Sequence, residues 1–480
     1  MTTLGTDTIK NNKPVINKDI FKAYDIRGKV GTDWCLNDNY DDAFLIGQAL
    51  GSQLVASHSN QIIVGRDGRN SSEDISKNLI QGLLSVGCDV TDIGLTATPV
   101  VYFCLDHLNI PNCAMVTGSH NPPMHNGIKM VTNNIATSQQ MIESLYFDII
   151  DKEFTDANNG DNGKASNFAD AIVEYKKAIS NDIQINKTLR VGIDAGNGAT
   201  ALFAESLFSD LDCEVHPLFC EVDGNFPNHS PDPTTPENLE ALIALVKENN
   251  LDLGLAFDGD GDRMIAVDNQ GNLLWPDRIQ ILLAQDLLKS NPNARIVFDI
   301  KSSMLLASEI RKAGGQAAFC QNGHSIMKRE VLRLEALMGG EFSGHIVLRD
   351  RWNDFDDAPY VAARFLEILS NTDKSCCEIF KEIPDSFSTY EYKIKAEDIR
   401  AAADLVARFI KKADFTGAHL NLIDGLRVEY EDGWGLIKSS NTSPAVGIRF
   451  EATSASRLEE IKDSFRSVFK AIDYKKELPF

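Results

Sequence analysis

Three stretches of this chain repeat one pattern: "QIIVGRDGRNSSEDISKNLIQGLLSVGCDVTDIG" from Gln61, "RVGIDAGNGATALFAESLFSDLDCEVHPLF" from Arg190 and "RIVFDIKSSMLLASEIRKAGGQAAFCQNG" from Arg295. Each opens on a β-branched run that ends at an aspartate (Asp67, Asp194, Asp299). A polar turn, a helical stretch and a second apolar run follow. A strand–helix–strand unit of this length demands a right-handed crossover between parallel strands. Three such units predict three related α/β domains with mixed, mostly parallel sheets. In the first helix, Ile75, Leu79, Leu83 and Val86 form the inward stripe, and Ser71 and Asp74 are spaced for a capping box.

The C-terminal part breaks the pattern. "NLIDGLRVEYEDGWGLIKSSN" and "AVGIRFEAT" alternate around Asp-Gly turns, with Val446, Ile448 and Phe450 on one face. A helix striped by Leu458, Ile461, Phe465 and Val468 follows. These features predict an antiparallel α+β domain, joined near residues 384–388 and placed to act as a moving lid. The expected limits are 1–165, 166–272, 273–384 and 385–480, consistent with several cores in 480 residues.

Composition narrows the partners. The formal net charge is -22. Nucleic acids and acidic membranes are held by clustered Lys and Arg, so neither is expected as a general partner. A small anion remains compatible if a cleft gathers the basic groups. Nine scattered cysteines show neither zinc spacing nor a disulfide framework, which reads as reduced thiols and a cytoplasmic setting. The N-terminus lacks the apolar segment of a signal peptide, and no run reaches the length of a membrane span.

Four loops hold the chemistry-bearing residues. "GLAFDGDGDRMIAV" places Asp258, Asp260 and Asp262 at alternate positions after an apolar strand. The glycines let the backbone curl, and three converging carboxylates repel one another unless a cation lies between them. Hard oxygen donors beside Arg263 point to Mg²⁺ in phosphate chemistry. "GEFSGH", from Glu341 to His345, offers a carboxylate, a hydroxyl and an imidazole suited to sugar hydroxyls. "LIKSSNTSP", from Leu436 to Pro444, combines Lys438, hydroxyls and Asn441 in a turn able to nest an anion, although such residues also form ordinary turns. "MVTGSHNPPMHNGIKM" sets Ser119 on what reads as an exposed turn, with Lys129 nearby in sequence. His120 is expected to project away from the serine, and neither a Ser-His-Asp triad nor a G-x-S-x-G elbow is present. A hydroxyl so placed fits a serine that carries a phosphoryl group, stabilised by Mg²⁺ and cations.

Together the motifs resemble those of the α-D-phosphohexomutase superfamily, most closely its bacterial phosphomannomutase/phosphoglucomutase branch. "TGSHNPP", "DGDGDR", "GEFSGH" and "SNTSP" occur in the family's order, joined by "FKAYDIRG", "VDGNFPNHSPDP", "WPDR" and "NGHS". The resemblance implies four domains around a central cleft. It implies a phosphorylated Ser119, with Mg²⁺ held by that phosphate and by Asp258, Asp260 and Asp262. It also implies interconversion of hexose 1- and 6-phosphates through a hexose 1,6-bisphosphate. Arg27, His120, Lys129 and Arg263 would surround the transferring group; His324 and His345 would move protons or touch substrate. Glu341 and Ser343 would bind the sugar, and Tyr24, Arg278 and Lys301 would line the cleft. Lys438, Ser440, Asn441 and Thr442 would hold the phosphate that is not reacting. Relatives of this branch imply a monomer. The chain departs from the family at Lys438, where Arg is usual, and at Gln321, where Lys is common. Phe342, at the variable position of the sugar loop, agrees with mannose and glucose better than with an amino sugar. The competing readings are a phosphoglucosamine mutase, whose phosphate loop more often carries Ser-Gly-Thr, and a phosphatase with an aspartyl nucleophile.

Overall fold

A computed structural model describes residues 16–37, 40–155, 162–440 and 443–480. The three repeats fold alike. In the first, strand Gln61–Arg66 lies between Asp89–Leu95 and Cys113–Val116, parallel to both, and Cys113–Val116 pairs antiparallel with His125–Thr132. In the second, Arg190–Asp194 lies between Glu214–Leu218 and Leu253–Phe257, and Leu253–Phe257 pairs antiparallel with Met264–Asp268. In the third, Arg295–Asp299 lies between Gln316–Cys320 and Met338–Gly340, and Met338–Gly340 pairs antiparallel with Ile346–Leu348. The shared order places one special loop in each domain, where the last parallel strand turns back into its antiparallel neighbour. Those three loops are the serine loop after Val116, the aspartate loop after Phe257 and the Glu341–His345 loop after Gly340.

The repeated aspartates hold these turns. Asp67 accepts from the Arg69 amide and from the Ser72 and Thr117 hydroxyls. Asp194 accepts from the Gly196 amide at 2.8 Å and lies 3.2 Å from His229 Nε2. Asp299 accepts from Ser302 Oγ, Asn322 Nδ2 and the Phe342 amide. All three are buried. A buried carboxylate needs several donors to offset its desolvation, and a strand end in an α/β sheet supplies them as free loop amides and hydroxyls. The expected capping box at Ser71 does not form: the helix is Ser72–Ser85, and Ser71 Oγ accepts instead from Asn126 Nδ2 at 2.9 Å. Its backbone is already in the helical region (φ -96°, ψ -7°), whereas a capping residue is usually extended.

A single apolar cluster runs through the first three domains, joining helix Thr98–His107, the second and third sheets and helix Ala358–Ser370. The C-terminal domain has its own core. Its sheet is wholly antiparallel, covered on one face by Ile399–Lys412 and Ala455–Ala471. Val446, Ile448 and Phe450 point into that core as the alternation requires. The intervening Arg449 and Glu451 face the third domain. There Glu451 accepts from Ser303 Oγ, the Met304 amide at 3.0 Å and Trp434 Nε1 at 2.6 Å. Arg427 donates to the Ile300 and Ser302 carbonyls, with its guanidinium 3.7 Å from the Trp434 ring centre. The third and fourth domains thus meet through polar groups around a small apolar patch, Ile300, Trp434 and Leu436.

Candidate active site

Ser119 lies at the meeting of the first two domains. It is 1% exposed, so the exposed turn expected from sequence is a buried one. Arg69 explains why: its buried guanidinium donates to the carbonyls of Ser119, Asn121, Pro122 and His125, drawing the loop inward around one cation. Ser119 has a positive φ of 49°. That left-handed turn brings its Oγ within 3.1 Å of His120 Nδ1, against the expectation that the two side chains diverge. Ser119 Oγ also donates to Asp258 Oδ2 at 2.9 Å. Gly259 is required here, because a Cβ would lie 2.4 Å from the Ser119 carbonyl oxygen.

The aspartate loop is fully buried. Asp258 Oδ1 accepts three backbone amides, from Gly261, Asp262 and Arg263, at 3.0–3.2 Å. Thr98, at the start of a first-domain helix, donates to the Asp260 carboxylate through its hydroxyl and to the Asp260 carbonyl through its amide at 2.9 Å. Lys129 Nζ lies 2.7 Å from Asp260 Oδ2 and also contacts Asp262 Oδ2. Burial and the Asp260 and Asp262 charges push Asp258 well above the usual carboxylate range. Burial acts the same way on Asp260 and Asp262, but Lys129, together with Thr98 at Asp260 and with His345 and Arg263 at Asp262, holds both below their ordinary value. The outer oxygens, Asp260 Oδ1 and Asp262 Oδ1, have no hydrogen-bond partner among the described residues. The three carboxylates offer ligand atoms within 4.8 Å of one another. Buried, unpartnered hard oxygens at that spacing fit a divalent cation such as Mg²⁺.

The aspartate loop reaches the third domain through an antiparallel bridge between Arg263 and His345. Arg263 Nε donates to His345 Nε2 at 2.9 Å. The other ring nitrogen, His345 Nδ1, sits 2.7 Å from Asp356 Oδ2, off the line of a hydrogen bond, and Asp356 is paired with Lys328 at 2.6 Å. His324 opens helix His324–Arg333 and stacks on His345, ring centres 5.5 Å apart. Burial, followed by the charges of Lys328 and Lys129, holds His324 well below its ordinary pKa; burial and Arg263 do the same to His120. Both rings are therefore neutral near pH 7, each with a ring nitrogen able to accept a proton.

A cleft of about 570 Å³ opens above these groups and takes residues from all four domains. Tyr24, Arg27, His120, Arg263, Lys301, His324, Glu341, Ser343, His345, Lys438 and Ser440 line it. Arg27 pairs with Asp25 and reaches the Gly118 carbonyl at 3.5 Å. Tyr24 donates to the Asn322 carbonyl at 3.1 Å. Glu341 accepts from the Gly323 amide at 2.6 Å and from Ser343 Oγ at 2.8 Å, which aims both at the cleft. Lys301 pairs with Glu391 at 2.7 Å and Lys438 with Asp424 at 2.6 Å. Ser440 Oγ accepts from Ser443. Asn441 and Thr442 lie outside the described residues.

Two sequence readings change. Arg278 does not line the cleft; it donates to the Pro384 carbonyl and to Asp385 at 2.9 Å, at the junction of the third and fourth domains. Phe342 stacks on Trp275 at 5.6 Å and lies 3.6 Å from the Arg449 guanidinium. Its apolar side chain serves the contact with the fourth domain and says nothing about the sugar. Sequence reasoning also passed over Arg69, Thr98 and Asp356. The "GRDGRN" run held a signal for Arg69, a second cation beside the repeated Asp67; Thr98 and Asp356 sit in ordinary helix starts and carry none.

A serine hydroxyl set against a buried carboxylate triad, where three like-folded α/β units meet a fourth domain, defines a phosphosugar mutase architecture. Four family signatures match in order: phosphoglucomutase/phosphomannomutase alpha/beta/alpha domain I at residues 18–156, domain II at 166–271, domain III at 275–387 and the C-terminal domain at 391–468. A phosphomannomutase/phosphoglucomutase of Pseudomonas putida is 43% identical over 96% of this chain and 97% of its own. A phosphoglucomutase of Neisseria meningitidis serogroup A is 41% identical over 95% and 98%. A crystal structure of a family protein from Burkholderia thailandensis superposes with a TM-score of 0.91 at 40% identity, covering 97% of this chain and all of that one. The chain belongs to the phosphoglucomutase/phosphomannomutase family, whose members are phosphomutases. Among the described residues no helix is long and apolar enough to cross a membrane.

Proposed function

We propose that this protein interconverts the 1- and 6-phosphates of mannose, glucose or both, through a phosphoserine at Ser119 and a hexose 1,6-bisphosphate. The observation that carries the reading is the position of Ser119 Oγ, 2.9 Å from Asp258 and 3.1 Å from His120, beneath a cleft lined by all four domains. In the forward half, the bond from Ser119 Oγ to phosphorus breaks as the sugar's free hydroxyl attacks phosphorus and loses its proton. After the bisphosphate turns over, its other phosphoryl group returns to Ser119. Asp258, Asp260 and Asp262 would hold Mg²⁺, which when bound would supply positive charge to the phosphoryl oxygens. Arg27, Lys129 and Arg263 add fixed cations around the same group, in a buried setting where each charge acts strongly. Neutral His324 and His120, with His345 held by Arg263, line the cleft and would serve as its proton carriers. Glu341 and Ser343 grip the sugar; Lys438, Ser440, Asn441 and Thr442 hold the distal phosphate, and closure of the fourth domain excludes water from the phosphoserine.

The sequence-level rivals fare less well. The relatives are named as phosphomutases rather than phosphatases, which counts against an aspartyl nucleophile. The names of the relatives favour mannose and glucose over an amino sugar. The reading also takes the protein as a cytoplasmic monomer with domain limits at 165, 272 and 384. Intact-mass and phosphopeptide measurement of the purified protein, with coupled assays on mannose, glucose and glucosamine 1-phosphates, tests it. A phosphoryl group on Ser119 and activity on mannose or glucose 1-phosphate are expected. An unmodified Ser119 after incubation with glucose 1,6-bisphosphate, or glucosamine 1-phosphate as the best substrate, overturns it.

A further inference from the structure

The cleft wall supplied by the fourth domain holds charges that the motifs did not single out. Lys393, Gly447 and Lys438 stand in register on three adjacent strands, Tyr392–Lys395, Ala445–Ala452 and Gly433–Ser439. Residues directly opposed across antiparallel strands project to the same face. Two lysines therefore rise from that face with a bare glycine between them, and all three residues line the cleft. The Glu391 carboxylate lies over the glycine: a Cβ on Gly447 would sit 2.4 Å from Glu391 Oε1. The same oxygen is 2.7 Å from Lys301 Nζ, which enters from the third domain. Although burial raises its pKa, Lys301, then Lys393 and Lys438, hold Glu391 ionised.

We propose that Glu391 is a built-in counterion occupying a phosphate pocket formed by Lys301, Lys393 and Lys438, and that the phosphate of the bound sugar displaces it, with Lys393 as a phosphate-binding residue. The proposal rests on the mutase reading for the identity of the ligand. Asp424 already pairs with Lys438 at 2.6 Å, so it is chiefly the repulsion between Lys301 and Lys393 that the Glu391 carboxylate relieves in the free protein. A phosphate monoester brings close to two negative charges and three acceptor oxygens, so it wins the exchange, whereas a monoanion gains little over the carboxylate it must replace. This chain has particular need of the third lysine. Lys438 supplies a point charge that Asp424 partly neutralises, and Gln321 is neutral and donates to the Ile423 carbonyl. Because Lys301 and Glu391 belong to different domains, the exchange also releases a contact between the third and fourth domains as phosphate arrives.

Calorimetric titration of the full-length protein with glucose 1-phosphate, and in parallel with inorganic phosphate, tests the exchange. Lys393→Gln is expected to weaken glucose 1-phosphate binding about fivefold or more, and Lys393→Arg to retain it within about twofold. Glu391→Gln is expected to tighten both ligands about threefold, since the internal competitor is gone. Unchanged binding in Lys393→Gln, or equal or weaker binding in Glu391→Gln, overturns the proposal. If wild type binds no hexose phosphate, the mutase reading fails, and the inorganic phosphate arm still decides the lysine pocket by the same criteria.

Discussion

At the serine end of the cleft, three carboxylates face one ammonium, Lys129; at the fourth-domain end, three ammoniums face two carboxylates, Glu391 and Asp424. Each end carries part of its own countercharge, but the two are built differently. The aspartates and Lys129 are at most 2% exposed and hang from strands rooted in the core common to the first three domains. Lys301 and Glu391 keep 18% and 24% of their side-chain surface in solvent and bridge separate cores. Charges at the first end act in a low-dielectric setting and are fixed before any ligand arrives; at the second, Lys438 is likewise buried, but Lys301 and Glu391 are partly screened and can exchange partners. The difference suits the two tasks proposed for these ends, since a reacting phosphoryl group needs preorganised charge and a phosphate that must be released and rebound needs an adjustable grip.

Removing the hydroxyl at the fixed end should give the largest effect. Ser119→Ala is expected to lower kcat by roughly 10³-fold or more and to abolish the phosphoserine mass increment. Activity retained in that variant would break the distinction between the two ends, because the serine end would then hold no reacting group. Asp260→Asn, or removal of divalent metal with a chelator, should cost about 10²–10³-fold, and added Mg²⁺ should restore only the chelated wild type. At the adjustable end the losses should be milder and appear in KM. Lys438→Ala is expected to raise KM about tenfold, while Lys438→Arg, which restores the fork, should lower it. A raised KM in Lys438→Arg would show that the buried Lys438–Asp424 pair cannot accommodate the larger cation.

Stability rather than turnover is the readout at Asp299, which sits between the two ends beneath the Glu341–His345 loop. Burial, with the nearby Glu341 charge, pushes its pKa up to about 6. A carboxyl raised in the folded state contributes stability below its unfolded value near 4 and loses it as pH rises through about 6. Wild type should therefore lose stability relative to Asp299→Asn between about pH 4 and pH 6, by up to about 3 kcal/mol. Melting curves of both proteins at about pH 5 and about pH 7.5 check the sign: the difference, variant minus wild type, should be more positive at the higher pH. A difference independent of pH would place Asp299 among ordinary surface-like carboxylates.

Much of the fold was legible in the chain because the repeated strand–Asp–helix unit is a local pattern. A β-branched run, a carboxylate at its end and a helical stripe follow from neighbouring residues alone, and the alternation of Val446, Ile448 and Phe450 places them inside the last domain without reference to anything distant. The loops that hold Ser119, Asp258–Asp262 and Glu341–His345 were legible as motifs, although their equivalence in the sheet order was not, since strand pairing joins residues far apart in sequence. The readings that failed were about side-chain direction and burial. Ser119 is buried, and beside His120 at all, because Arg69, fifty positions earlier, gathers four carbonyls of its loop. Arg278 and Phe342 serve the junction with the fourth domain because groups more than a hundred residues later pack on them.

The sequence by itself determined four domains, the residue types around Ser119, and a cation-seeking aspartate loop, since these rest on periodicity and on charges crowded within a few residues. Only the tertiary structure decided which charges face which: Lys129 against Asp260 and Asp262, Arg263 against His345, and Glu391 among Lys301, Lys393 and Lys438. The reason is physical. Electrostatic pairing depends on separation and burial, and both are set by how distant strands and domains come together rather than by what stands next in the chain.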